Sequence, residues 1–431
     1  MTAMNAPMPW LPAQAAERTP RLTWMTRLLM IWAALLPYQY QGSAEMISYS
    51  ASDIILVLIA VLEFPNLRYR RELWSPWQYA LLALFAASTL SVAVREGSLP
   101  RYVYLNKDIG LFILFLAYAF LTSAARNWHS IRMVMRAFIV SVVAQNIVGV
   151  LAWVASTRFG IDSPFVADNG LRLAGLMGDA NAYGGLVAST LVMCEGACSS
   201  GQPLFRKTFL IFARLTLAAG VLVSFSRTSW ISLAIVFVFL FFTRFATAMR
   251  ALFLLLCGAA VTMVVMGRQS LSLFEHLAFR PEVDTGAGRS RFDLVSSGLA
   301  DFVHHPFFGI GLGSFYQQQQ TIIHNSPIWF LTEFGLIGFT VFGGFLLSFA
   351  LRARAAYRLA PRSEKPVVFG LILGLLLMTS MSLGIEAFYQ RHWWMTFALI
   401  AASYSAARRE RRPRLVFPAR FASSLRSAIY G

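Results

Sequence analysis

The chain has 431 residues, 57% of them hydrophobic and 13% charged, with a formal net charge of +17 and a mean hydropathy of +0.59. A soluble protein of this size carries about 25% charged residues, so a soluble globular domain is excluded. The apolar runs are continuous rather than alternating, which excludes an outer-membrane barrel, and the basic residues fall in short loops between those runs, which argues against a nucleic-acid partner.

The expected class is therefore all-α: a polytopic integral membrane protein of about twelve transmembrane helices, forming a single domain over 1–431. In chain order the spans are expected at 22–40, 51–66, 77–94, 108–124, 133–157, 181–199, 208–223, 228–243, 249–267, 326–350, 366–385 and 392–407. No cleavable-signal pattern precedes the first of them, so that span is expected to remain. One set of alternate loops holds most of the basic residues, from Arg18, Arg21 and Arg27 to the 408–431 tail. By the positive-inside rule that set faces the cytoplasm, both termini are cytoplasmic, and the RRERRPR run at 408–414 is a membrane-proximal anchor.

The connections on the cytoplasmic side are short, and none carries a phosphate-cradling glycine motif in a strand–helix context. The one long polar segment is 268–325, on the periplasmic side, and chemistry is expected there. Several residues on that side bear on it. Arg172 lies in LRLAGLMGDANAYGG together with Asp179 and Asn181; Arg227 lies in SFSRTSW; Arg289 and Arg291 lie in GRSRFD. An arginine this close to hydrocarbon is costly without a partner, and its fork fits phosphate oxygens. The pattern reads either as a diphosphate clamp, or as headgroup anchoring by membrane lipids and local pairing with acids such as Asp179, Asp293 and Asp301.

Cys194, Cys198 and Cys257 show neither zinc-ligand nor redox spacing and read as small buried hydrophobes. Ser290 and Asp293 form the outline of a capping box for a helix over 291–305. Its apolar stripe of Phe292, Val295, Leu299, Phe302 and Val303 suits a helix on the membrane surface or one capping the bundle. HHPFFGIGLGSF follows, with Gly309, Gly311 and Gly313; such a run allows a tight turn or a close backbone approach. His304 and His305 match no metal motif, and no metal site is expected. Ser326 and Pro327 read as a helix start, with Ser326 as the cap. That puts His324 and Asn325 at the periplasmic mouth of a span, where the helix dipole favours a neutral imidazole. His324 then reads as a general base or as a ligand of loop carbonyls. Glu333, nine residues on, reads as an orienting carboxylate or one half of a buried ion pair.

In this order and placement, the pieces resemble the signature of the O-antigen ligase and polymerase superfamily of bacterial membrane glycosyltransferases, over about residues 171–345. They are Arg172, Gly175, Asp179 and Asn181; Ser226–Arg227; Ser290 to Leu294; the 305–315 run; His324–Asn325; and Glu333 to Gly338. Ala180 departs from the proline common in the family, a local loop difference. The resemblance implies a periplasmic enzyme of the inner membrane that takes its donor glycan from undecaprenyl diphosphate. With twelve spans and one moderate loop, it implies a ligase with lipid A–core as acceptor; an O-antigen polymerase and a protein O-oligosaccharyltransferase are the alternatives. It implies His324 as catalytic base and Arg172, Arg227, Arg289 and Arg291 as donor-binding residues, joined by Asp179, Asn181, Asn325 and Glu333. No cofactor is expected, and transfer is expected to be metal-independent and inverting, since the nearest approach to a divalent-cation pair is Glu282 with Asp284. A glycan transporter, the rival of a different class, predicts internal repeats and mid-membrane charges, neither of which is evident.

Overall fold

The computed structural model describes residues 22–39, 50–168, 171–197, 204–266 and 290–411. Arg289, Cys198, Glu282, Asp284, the first part of the long polar segment 268–325 and the tail beyond Arg411 lie outside the described residues.

Every expected span falls on a helix. In order they are α1 (Trp24–Leu35), α2 (Ala51–Glu63), α3 (Pro76–Glu96), α4 (Ile109–Ala124), α5 (Trp128–Phe159), α6 (Ala180–Ala197), α7 (Lys207–Val223), α8 (Arg227–Thr243) and α9 (Phe245–Met266). A π-helical stretch, Tyr102–Asp108, leads into α4. After α9 come α10 (Arg291–His304), the short α11 (Ser314–Gln319), α12 (Ser326–Leu359), α13 (Lys365–Met381) and α14 (Arg391–Arg411). Among the described residues five segments are long and apolar enough to cross a membrane: Pro76–Glu96, Tyr102–Ala124, Trp128–Phe159, Phe245–Val264 and Ser326–Leu359. The one sheet among them is a two-stranded pair, β1 (Val166–Ala167) with β2 (Arg172–Leu173).

Local chemistry sets the helix starts. Ser50 with Asp53 and Ser75 with Gln78 close capping boxes, the second ahead of Pro76 at the first helical position. Each satisfies backbone donors that no turn of the helix can reach. At the other end, α3 and α5 stop at Gly97 and Gly160 in left-handed conformation.

α6 is buried on nearly every side and packs along α13. The two come so close that a Cβ on Gly196 would sit 2.3 Å from the Gly370 Cα. Small residues at such a crossing replace the hydrophobic drive that lipid removes. Arg214, inside α7, meets Glu195 of α6 at 2.8 Å, both side chains buried. A neighbour of opposite charge is what lets an arginine be buried in an apolar helix bundle.

The expected capping box of α10 forms: Ser290 Oγ accepts from the Asp293 amide at 3.1 Å, and Asp293 Oδ2 accepts from the Ser290 amide at 3.1 Å. The helix is pinned to α12 by Leu294 and Gly298, where Thr332 Oγ1 donates to the Gly298 carbonyl at 3.0 Å. Its apolar stripe points outward, with Phe292 79% and Val303 70% exposed. Removing the cap hydroxyl by Ser290→Ala should cost about 0.5–2 kcal/mol. Amide hydrogen exchange should then speed up over the first turn of α10 and leave α12 unchanged; equal protection in both proteins would dismiss the cap's contribution.

Candidate functional site

The starts of α6, α8, α12 and α14 and the ends of α3, α5, α7 and α13 lie at one end of the bundle, where the sequence-derived site residues gather. α12 is opened there. Gly335 adopts φ 65° and ψ −159°, outside any helix. The Leu336 and Ile337 amides donate to the carbonyls of Pro306 and Phe307 at 2.8 and 3.3 Å, while the Ile310 and Gly311 amides donate to those of Thr332 and Glu333, both at 3.0 Å. Residues 306–311 are thus inserted as a strap across the broken turn, and four backbone bonds replace those the helix gives up. A Cβ on Gly309 would lie 2.4 Å from the Glu333 carbonyl carbon, and one on Gly335 2.4 Å from that of Phe307. The glycine run therefore serves a close backbone approach, to the protein's own helix. Arg95 of α3 fixes the far side of the strap, donating to the Ile310 carbonyl and to Ser314 Oγ, each at 2.8 Å.

The cap of α12 is Asn325, not Ser326: Asn325 Oδ1 accepts from the Ile328 amide at 3.0 Å. Ser326 is occupied elsewhere. Its hydroxyl donates to the Ile385 carbonyl and accepts from the Ala387 amide, at 3.2 and 2.9 Å. Asn325 Nδ2 also reaches the Leu383 carbonyl at 2.7 Å. His324, half-buried, immediately precedes this anchored cap.

The loop 382–390, between α13 and α14, ties these residues to the arginines. Arg291 Nη1 donates to the Gly384 carbonyl at 3.2 Å. A Cβ on Gly384 would lie 2.6 Å from Thr228, so the loop also abuts the start of α8, where Arg227 is the first residue and Ser226 the cap. Arg172 donates from Nε to the Ser224 carbonyl at 3.0 Å, from Nη2 to Asn181 Oδ1 at 3.0 Å and from Nη1 to Asp168 Oδ2 at 3.3 Å. Asp179 Oδ1 accepts from the Asn181 amide at 2.7 Å and so opens α6. Burial draws the Arg172 guanidinium below its ordinary pKa; Asp168 and Asp179 offset part of this, and Arg291 is near enough to repel it. Arg172, Asp179, Asn181, Arg227, Arg291, His324 and Asn325 thus meet around the α8 and α12 starts and one connecting loop.

Glu333 is placed differently. It is 1% exposed, beside Lys107, with the Gly313 amide and the Trp329 side chain against its carboxylate. Lys107 forms an ion pair with Glu386 and lies 4.8 Å from the Trp329 ring centroid and 4.7 Å from that of Tyr389. Neither Lys107 nor Glu386 belongs to any motif read from the sequence. The π-helical stretch was the available signal, since such a distortion often marks a working position, but it is visible only in three dimensions. His304 and His305 are exposed at the end of α10.

Residues 212–343 match the family model described as O-antigen ligase. This supports the superfamily resemblance read from the motifs. The O-antigen ligase match includes Arg227, Arg291, His324, Asn325 and Glu333; Arg172, Asp179 and Asn181 precede it, and Lys107 and Glu386 lie on either side of it. No curated protein matches the chain.

Proposed function

We propose that the protein is an O-antigen ligase of the bacterial inner membrane, transferring a glycan from undecaprenyl diphosphate to a lipid A–core acceptor on the periplasmic side. The observation that carries this reading is the convergence of Arg172, Arg227 and Arg291 with His324 at one end of the bundle, within or beside the O-antigen ligase match. Charge placement supports a periplasmic position for that end, because the arginine-rich loops lie at the other. The periplasm supplies no nucleotide sugars, so a transferase working there needs a donor that brings its own leaving group.

In this mechanism an acceptor hydroxyl oxygen attacks the anomeric carbon while His324 takes the hydroxyl proton. The bond from that carbon to the diphosphate oxygen breaks, and its electron pair leaves with the diphosphate. Arg172, Arg227 and Arg291 neutralise the charge that builds there, with Arg289 as a further candidate. Attack opposite the leaving group turns an α-linked donor into a β-linked product. Fixed arginines do the work a divalent cation does elsewhere, so transfer proceeds without metal. Asn325 sets the position of His324, and Asp179 and Asn181 hold Arg172.

Deleting the gene and resolving the lipopolysaccharide on a gel tests the reading. Bare core, with long polymer retained on the carrier lipid, is the expected result. Core bearing a single repeat would make the protein the polymerase. An unchanged ladder would remove both and leave protein glycosylation or transport.

A further inference from the structure

At the end of the bundle away from this site, the α2–α3 connection meets the ends of α4 and α14. Arg70, Glu72, Tyr404, Ser405, Arg408 and Arg409 line a cavity there of about 300 Å³. Two guanidinium groups converge on one hydroxyl: Arg70 Nη1 and Arg409 Nη2 donate to Ser405 Oγ at 3.4 and 3.0 Å. Ser405 is itself buried, so the point on which they converge is fixed. Arg408 lies against Tyr404, 3.3 Å from its hydroxyl. Beside the cavity, Arg126 Nε donates to the Ser123 carbonyl and the Arg68 backbone amide donates to Ser123 Oγ, both at 2.8 Å.

Four of these five arginines repel one another, Arg70 facing Arg409 and Arg68, Arg126 facing Arg68 and Arg70, and Arg409 facing Arg126, while Glu72 attracts Arg70 and Arg409. Among the described residues none of the five forms an ion pair, and Glu72 is the one carboxylate on the cavity wall. The positive-inside tendency alone explains arginines spread and solvated along a face. It does not explain arginines drawn around a cavity with a buried hydroxyl at its floor. Such an arrangement is completed by an anion with several oxygens, and Arg forks fit phosphate.

An aromatic group at the same end points to the source of that phosphate. Tyr69, Trp74 and Tyr79 form a row with ring centroids 6.1 and 6.0 Å apart, and Tyr69 and Tyr79 are exposed. Aromatic rings of this kind sit at headgroup level in a bilayer. We propose that the cavity binds the phosphate of an anionic phospholipid, held by Arg70, Arg408 and Arg409 around Ser405, with Arg68 and Arg126 adding to the field. This site is separate from the proposed transferase centre and stands whether or not that reading does.

The test is native mass spectrometry of the full-length, delipidated protein in detergent, titrated with phosphatidylglycerol, phosphatidylcholine or inorganic phosphate. Wild type should retain phosphatidylglycerol in preference to phosphatidylcholine. At about 1 kcal/mol for each arginine near a lipid phosphate, Arg70→Gln with Arg409→Gln should weaken phosphatidylglycerol binding roughly 30-fold, and Arg408→Gln alone roughly fivefold. Arg408→Gln leaves both hydrogen bonds to Ser405 in place and carries the test if the double variant does not fold. Arg354→Gln, an exposed arginine on α12, should bind as wild type. Equal retention of the two lipids, or undiminished binding by both variants, would overturn the site. Displacement of phosphatidylglycerol by millimolar inorganic phosphate would overturn the lipid assignment and make the cavity a soluble-phosphate site.

Discussion

His324→Ala should lower glycan transfer by roughly 100- to 10,000-fold, the range that removal of a positioned general base produces. The loss should appear in kcat with KM nearly unchanged, because in the proposed mechanism the imidazole acts on the hydroxyl proton while the arginines hold the donor. The fold should survive. Asn325 caps α12 through its own side chain, and the latch between Ser326 and residues 385–387 does not use His324. The measurement is turnover by purified protein with a lipid-linked donor and a core acceptor. A wild-type rate would remove His324 from the mechanism and leave the arginine cluster to be explained by binding alone.

Lys107→Met should destabilise the protein by about 3–5 kcal/mol, the usual result of deleting one partner of a buried ion pair. Lys107 is 2% exposed and Glu386 11%. With the ammonium gone, Glu386 keeps a buried charge with no counter-ion, and the nearby Glu333 carboxylate, whose Oε2 already lacks a hydrogen-bond partner, loses the cation beside it. Packing does not make up the loss, because Trp329 and Tyr389 present ring faces suited to a cation. Thermal unfolding in detergent should show a lowered midpoint for Lys107→Met and partial recovery in Lys107→Met with Glu386→Gln. A midpoint equal to wild type would mean that the pair carries no stability. Loss of activity without loss of stability would shift Lys107 from scaffold to positioning residue.

The positions of the helices were legible because apolar run length is a strong signal and chain-local. The capping box at Ser290 and Asp293 was legible for the same reason: a cap depends on four consecutive residues. The cap of α12 was placed one residue late. Ser326 has the right chemistry, but its hydroxyl is claimed by residues 385 and 387, which are distant in sequence. The glycines of 309–313 announced a close approach without saying to what; the answer, an opened turn at Gly335, needs both segments at once. The stripe on α10 was read as lying on the membrane surface or capping the bundle, and its outward direction suits the first of these. The arginines and His324 were picked out as candidates through their motifs. Lys107 and Glu386 were missed because each is a lone charge in an apolar neighbourhood, and only the pairing gives either of them meaning.

The pairing of Lys107 with Glu386 also constrains the order of assembly. The partners are 279 residues apart in sequence, and Asp53 waits still longer, 338 residues, for Arg391. At synthesis rates of about 5–20 residues per second, Lys107 spends on the order of 15–60 s in a nascent chain before its counter-ion exists. The first helices must therefore tolerate an unneutralised cation, held in water or in the inserting machinery, until the last two arrive. The final helical hairpin acts as the closing clasp of the molecule. A chain that stops short of it leaves Lys107 without the carboxylate and Asp53 without the guanidinium that the complete fold supplies.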